Sequence, residues 1–221
     1  MIVVLDPGIG NLHSVLGGLR RVGREAVVIS DKEAWDNLRK DADGSVQGVI
    51  LPGVGAFGDA MTQLRLSGLV SVVEQVVASR IPLLGICVGM QLLFKVSFEH
   101  GEHPGLALLP GQVVRFPATA KVPHMGWNDL TSVQSHHPLL QDVAIGDFVY
   151  FVHSYYVQAD EASDVIAAAS YGGIEVPAVV GRGLVYGTQF HPEKSGKVGE
   201  TILRNFVRLT ELERAEVSSP W

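Results

Sequence analysis

The chain reads as an α/β fold: a mostly parallel central sheet flanked by helices, with an antiparallel strand extension. Three observations predict it. In the amino-terminal half, short and nearly all-apolar runs alternate with segments of helical period, the pattern of parallel strands covered on both faces. In the second half, apolar runs follow one another separated by Gly, Pro, Asp and His, which resembles antiparallel strands more than βαβ units. Finally, 221 residues at 47% hydrophobic content are enough for one large domain with a full core, and no linker divides them.

Taken in order, Ile2 to Leu5 is a first strand, followed by a glycine-containing turn and a helix from about Asn11 to Val22. Leu12, Val15, Leu16 and Leu19 fall on one face of that helix. Ala26 to Ile29 and Gly48 to Leu51 are the second and third strands. Helical stretches run from about Asp59 to Leu66 and from Leu69 to Ser79. The apolar run Ile81-Pro82-Leu83-Leu84 is a strand that delivers Cys87, and Met90 to Phe94 is the helix after it. Lys95 to Gly105, with Glu99, His100, Glu102 and His103, reads as a surface loop; nothing there sets a rigid ligand geometry, so no metal site is expected. Strands follow at Gln112–Phe116, Phe148–Val157, Val165–Tyr171, Ala178–Gly181 and Val185–Gln189. A helix from about Val198 to Glu213 closes the domain, burying Ile202, Phe206 and Leu209. Residues 1–213 form the single domain, and 214–221, with Ser-Ser-Pro, a loose tail.

Composition excludes several classes of function. A formal charge of −6 makes no electrostatic case for nucleic acid or an anionic membrane surface. The start, Met1 to Asp6, lacks the basic and long apolar regions of a signal peptide, and no stretch is apolar for long enough to span a bilayer. A single cysteine rules out an internal disulfide framework and fits a reducing cytosol. The eight histidines show no zinc-type spacing.

That cysteine, Cys87, stands in Gly85-Ile86-Cys87-Val88-Gly89 at a strand end, the pattern of a nucleophile elbow. Flanking glycines tolerate the crowding of such a turn, and a following helix directs its amino-terminal amides at the sulfur, favouring the reactive thiolate. On this segment alone Cys87 is equally a small buried hydrophobe. Downstream, Pro192 disfavours helical backbone at His191, so His191 and Glu193 are expected on extended chain with both side chains on one face. A carboxylate so placed fixes the imidazole tautomer and stabilises the imidazolium. A third segment, Pro52-Gly53-Val54-Gly55-Ala56-Phe57-Gly58, leaves a strand at its carboxyl end, where ligands bind in parallel sheets. Its glycines allow backbone N–H groups to turn outward as an oxyanion hole requires. Phosphate binding and a plain glycine turn are the alternatives, although the P-loop ending is missing.

Gly-Ile-Cys-Val-Gly-Met-Gln together with the distant His-Pro-Glu resembles the class I (triad) glutamine amidotransferases. Pro52 to Phe57, Pro123-His124-Met125-Gly126-Trp127-Asn128, His191 to Ser195 and Gly10-Asn11-Leu12 are similar, more narrowly, to glutaminase subunits of imidazole glycerol phosphate synthases. The similarity runs from Ile2 to about Leu209. It departs at Asp6-Pro7-Gly8, where Asp-Tyr-Gly is commoner, and at Gly196. The resemblance implies glutamine hydrolysis through a Cys87 thioester, with His191 as acid and base and Glu193 orienting it. No cofactor is implied. Val54, Gly55 and Val88 would supply the oxyanion hole; Gly53, Gln91, Ser154 and Tyr155 would seat the substrate. The ammonia would pass to a (β/α)₈-barrel cyclase in a heterodimer serving histidine biosynthesis, with Asn11, Trp127, Tyr150 and Lys194 near the interface. A glutaminase serving another synthase, an inactive docking domain and a general cysteine or ester hydrolase are the rival readings.

Overall fold

The structure is a computed structural model and describes residues 1–8, 10–41 and 46–218. In chain order the first half contains β1 (Ile2–Leu5), α1 (Leu12–Arg21), β2 (Ala26–Ile29), α2 (Lys32–Asp41), β3 (Gly48–Gly53), α3 (Phe57–Leu66), α4 (Leu69–Ala78), β4 (Leu83–Cys87) and α5 (Val88–Leu92). The strands β5 (Phe94–Ser97), β6 (His103–Pro104), β7 (Leu109–Arg115), β8 (His124–Val133), β9 (Phe148–His153) and β10 (Tyr155–Ala159) come next. They are followed by β11 (Val165–Tyr171), β12 (Ile174–Arg182), β13 (Val185–Thr188) and α6 (Gly196–Ser218).

Among the described residues the strands form a nine-stranded sheet of order β2-β1-β3-β4-β13-β12-β11-β8-β9 and a four-stranded sheet of order β10-β7-β5-β6. The large sheet is parallel from β2 to β13 and antiparallel from β13 to β9. The expected parallel sheet with an antiparallel extension is therefore present. β3 and β4, fully buried and apolar apart from glycine, proline and cysteine, sit in its centre. Their carboxyl ends are where the glycine turn and Cys87 emerge side by side, because Gly53 pairs with Cys87 in the register.

Several elements differ from the sequence reading. Between β2 and β3 lies α2, which a helical-period search overlooks because it is largely polar; its anchor is one buried side chain, Trp35, whose Nε1–H donates to Gln75 Oε1 of α4 at 3.1 Å. Asp31 starts it by accepting from the Ala34 amide at 2.8 Å. The helix after Cys87 ends at Leu92 and does not include Phe94. Its last carbonyls are taken by the returning chain, with Leu106 N–H on Leu92 and Leu108 N–H on Leu93. Residues 95–105 are not a loose loop: β5 and β6 pair antiparallel there and extend the small sheet. The run Phe148–Val157 is two strands, and the chain changes sheets at Ser154 between β9 and β10. β8 pairs with both β9 and β11 and was not expected as a strand at all. Finally, α6 begins at Gly196 and continues past Glu213 to Ser218 through a stretch of strong helix formers. Residues 219–221 of the expected tail lie outside the described residues.

α1 packs against α6, while α2 and α3 pack against α4. The small sheet meets the large one through β10 and β12. Truncating Trp35 to alanine removes the largest apolar contact of α2, beside which Leu38 packs only partly buried. It is expected to destabilise the fold by about 3–5 kcal/mol, measured by chemical denaturation.

Candidate active site

Cys87 closes β4 and stands immediately before α5 with φ 55° and ψ −111°. A side-chain-bearing residue avoids positive φ, so this conformation is strained and persists only because its surroundings enforce it. The enforcement is visible in the packing. A Cβ on Gly53 would stand 2.7 Å from the Gly89 nitrogen, and one on Gly89 would run into the Leu51 carbonyl. The first turn of α5 is therefore pressed against β3, and the chain can leave β4 only through the tight turn at the cysteine. Because α5 is a single turn, the dipole it directs at the sulfur is that of a few peptide units, less than the sequence suggested.

His191 follows β13 on the neighbouring strand. Its amide donates to the Tyr150 carbonyl at 3.1 Å and its carbonyl accepts from Ser195 Oγ at 2.7 Å, so the backbone is held from both sides. The ring is buried, and Nδ1–H donates to Glu193 Oε1 at 2.8 Å. The other ring nitrogen is left for Cys87, which lines the same cavity and whose Sγ lies 3.9 Å from the Val152 carbonyl. His191 has extended backbone as expected, but Glu193 does not: Pro192–Lys194 is a turn of 3₁₀ helix. Proline suits the first position of such a turn, and the turn rather than strand alternation brings the carboxylate under the ring. Arg21 of α1 fastens this segment by donating from Nη2 to the Glu193 carbonyl at 2.8 Å.

Burial alone would push the His191 pKa down. The interactions with the nearby Cys87 and with Glu193 outweigh it and raise the value to about 9. The ring is thus an imidazolium at neutral pH.

Cys87 and His191 open into a cavity of about 170 Å³ that also meets Val54, Gly55, Val88, Gln91, Ser154 and Tyr155. Gly53 and Asn11 lie elsewhere, lining a narrow space behind the turn with Pro52, Val54, His191 and Glu193. Gln91 is buried, and its Nε2 donates to the Tyr155 carbonyl at 3.0 Å and to Gln189 Oε1 at 3.1 Å. Three lining residues were missed by sequence reasoning: Glu99, Val152 and His153. Glu99 sits beyond β5 and accepts from the Phe57 amide at 2.6 Å, joining the hairpin to the start of α3. Its signal was faint, an acidic residue in a short polar segment after the elbow. Trp127 and Tyr150 are register partners on β8 and β9, with ring centroids 6.1 Å apart. Lys194 is exposed on the turn that carries Glu193, and Asn11 caps α1 by accepting from the Ser14 amide at 3.4 Å.

Among the described residues no cluster of three or more His, Cys, Asp or Glu could hold a metal ion, and no helix is long and apolar enough to cross a membrane. Residues 3–209 match the family described as glutamine amidotransferase class-I. The chain belongs to the class I glutamine amidotransferases. It is 52% identical to the imidazole glycerol phosphate synthase subunit HisH of Halalkalibacterium halodurans, over 96% of this chain and 97% of that protein. It is 50% identical to the same subunit of a Geobacillus species, over 96% and 98%. The solved structure of PurLQS from Thermotoga maritima superposes with a TM-score of 0.72 at 18% identity, covering 94% of this chain and 97% of that one, which shows the shared fold.

For this amidotransferase the charge on His191 has a measurable consequence. A histidine whose folded pKa lies above its unfolded value of 6.5 stabilises the fold fully below about pH 6.5, and that contribution is lost as pH rises through about 9. Histidine ring resonances are expected to show His191 titrating near 9. Cys87→Ala removes one of the two groups that raise the His191 pKa and is expected to move that midpoint down.

Proposed function

We propose that the chain hydrolyses glutamine at Cys87 and hands the ammonia to a (β/α)₈-barrel cyclase subunit, within a cytoplasmic imidazole glycerol phosphate synthase. The observation that carries the hydrolytic step is the strained Cys87 sharing one pocket with His191, whose Nδ1 is held by Glu193. The Cys87 thiolate attacks the side-chain amide carbon of glutamine. The oxyanion forms beside the turn carrying Val54 and Gly55 and the amide of Val88, each donor contributing about 3 kcal/mol to the transition state. His191, charged at the start, gives its proton to the departing nitrogen; the C–N bond breaks, ammonia leaves and a γ-glutamyl thioester remains. The now neutral ring takes a proton from water, hydroxide attacks the thioester, and glutamate departs as thiolate and imidazolium are restored. Glu193 holds the tautomer throughout.

The amino-acid end of glutamine lies toward Gln91, Ser154 and Tyr155, as in the family. Glu99 adds a carboxylate of the right sign to meet the substrate ammonium. Gly53 acts at one remove: it is the only residue type that lets β3 and the start of α5 approach so closely, and it positions Val54.

The partner reading rests on an exposed apolar face beside the pocket. Met125, Trp127 and Phe148 are 65%, 56% and 55% exposed on the β8–β9 ribbon, and Tyr150 shares their side of it. Val152, next on the same side, lines the pocket, and Val54 across the mouth is 39% exposed. A protein docked there covers the mouth, which matters because ammonia released to bulk water at neutral pH is protonated and loses its nucleophilicity. Asn11 and Lys194 are assigned to the same interface by the family resemblance. In this reading a reduced Cys87 is essential, which suits a cytoplasmic setting.

Cys87→Ala is expected to abolish glutamine-dependent synthesis by the complex while leaving synthesis from added ammonia intact. Equal loss of both would mean that the chain acts by docking alone. Glu99→Gln is expected to raise the KM for glutamine roughly tenfold with a smaller effect on kcat, measured by glutamate release. Glutamine hydrolysis by the isolated chain is expected to be slow and to rise many-fold with the cyclase and its nucleotide ligand, in a coupled glutamate assay.

A further inference from the structure

Two histidines line or adjoin the pocket without entering the chemistry just described. His153, at the end of β9, lines the cavity, and its Nδ1 lies 2.8 Å from the Tyr155 carbonyl. His124, at the start of β8, places Nδ1 3.0 Å from His153 Nε2. Asn128 stands four residues further along β8, with its amide nitrogen 3.3 Å from His124 Nε2 and 2.9 Å from the Ser170 carbonyl.

The direction of every bond in this chain is fixed by its ends. A carbonyl only accepts, so His153 carries its proton on Nδ1 and offers a lone pair at Nε2. His124 must then donate from Nδ1, which leaves its own Nε2 as an acceptor. Asn128 supplies that donor, since its nitrogen is already committed to the Ser170 carbonyl. Both rings are thus neutral Nδ1–H tautomers. A second proton on either would set N–H against N–H. At the far end, the Tyr155 carbonyl also accepts from Gln91, Gln91 donates to Gln189, and the Gln189 amide reaches Cys87 Sγ at 4.0 Å.

We propose that Asn128, His124 and His153 form a one-way donor chain whose task is to position the Tyr155 carbonyl and Gln91 around the substrate. His124 and His153 are positioning residues for glutamine binding, an inference that rests on the reading of the cavity as the glutamine pocket. The surroundings keep the chain neutral. His124 is sandwiched between Phe151 and Tyr171, at ring distances of 4.4 and 3.9 Å, and Phe116 closes the side of both histidines. Burial pushes His124 down to about 4; burial, with the charges of His124 and His191, takes His153 to about 3 despite its bond to Tyr155. The titratable groups facing the pair are Tyr156 of β10, Tyr171 of β11, His191 and, across the cavity, Tyr155 and Glu99. Among the described residues no carboxylate is hydrogen-bonded to either ring, unlike His191. Keeping His153 uncharged also prevents it from competing with His191 for the thiolate.

Two measurements test this. Long-range proton–nitrogen NMR of histidine-labelled chain is expected to show both rings as Nδ1–H tautomers, unchanged from pH 5 to 8. An Nε2–H tautomer, or a midpoint in that range for either ring, overturns the chain. The second measurement is alkylation of Cys87 by the glutamine analogue 6-diazo-5-oxonorleucine, followed by mass spectrometry as a function of reagent concentration. His124→Phe keeps the stacking but removes the donor, and the half-saturating concentration is expected to rise about five- to tenfold. His124→Asn replaces the Nδ1 donor with an amide and is expected to return to within about twofold of wild type. Unchanged saturation in H124F, or H124N as impaired as H124F, overturns the positioning role. Failure of wild-type chain to be labelled at Cys87 instead counts against the glutamine pocket itself, and against this inference with it.

Discussion

The turn at Cys87 is the constraint on which the rest of the site depends. Parallel pairing puts the ends of β3 and β4 side by side, and glycine at 53 and 89 lets the following helix press onto β3. The only path left to the chain takes a non-glycine residue through φ 55°. Such a conformation costs of the order of 1–3 kcal/mol, which the apolar packing of the central strands offsets. What it achieves is placement. The sulfur projects from the sheet edge into the cavity, with the amide of the next residue beside it and His191 arriving from β13, the other parallel neighbour of β4.

Around that sulfur, environment decides which histidine is charged. His191 and His153 both line the cavity and both are buried. His191 faces a carboxylate on one side and the thiol on the other, and rises to about 9. His153 faces a carbonyl and a second imidazole, and falls to about 3. Divergent titration of two neighbouring groups of the same type marks their separate duties. The difference arises from backbone geometry: a 3₁₀ turn swings Glu193 under one ring, and the sheet change at Ser154 turns a carbonyl toward the other.

The parts of the molecule with strong local signals were legible in the sequence. The all-apolar β1, β3 and β4, the helix α1, and the glycine spacing around Cys87 each follow from composition and period alone. The strands β5, β6 and β8 did not, because their patterns mix polar and apolar residues; β8 buries His124 and half-buries Asn128 on one face and exposes Met125 and Trp127 on the other. α2 escaped because a single tryptophan supplies its large apolar anchor. For the site, local motifs pointed to Cys87, His191 and Glu193, whereas Glu99 and His153 became visible only once the fold had brought separate segments to one cavity. Even the correct pairing of His191 with Glu193 was reached by the wrong geometry, extended chain in place of a turn.

Everything proposed for the pocket depends on a covalent bond between Cys87 and the γ-carbonyl of glutamine. Acid quenching of the chain during turnover of glutamine, followed by peptide mass spectrometry, detects that bond most directly. A single γ-glutamyl group confined to the peptide containing Cys87, and absent from Cys87→Ala, is the predicted result. Ammonia release with no adduct on Cys87, or with the adduct on another residue, would contradict it.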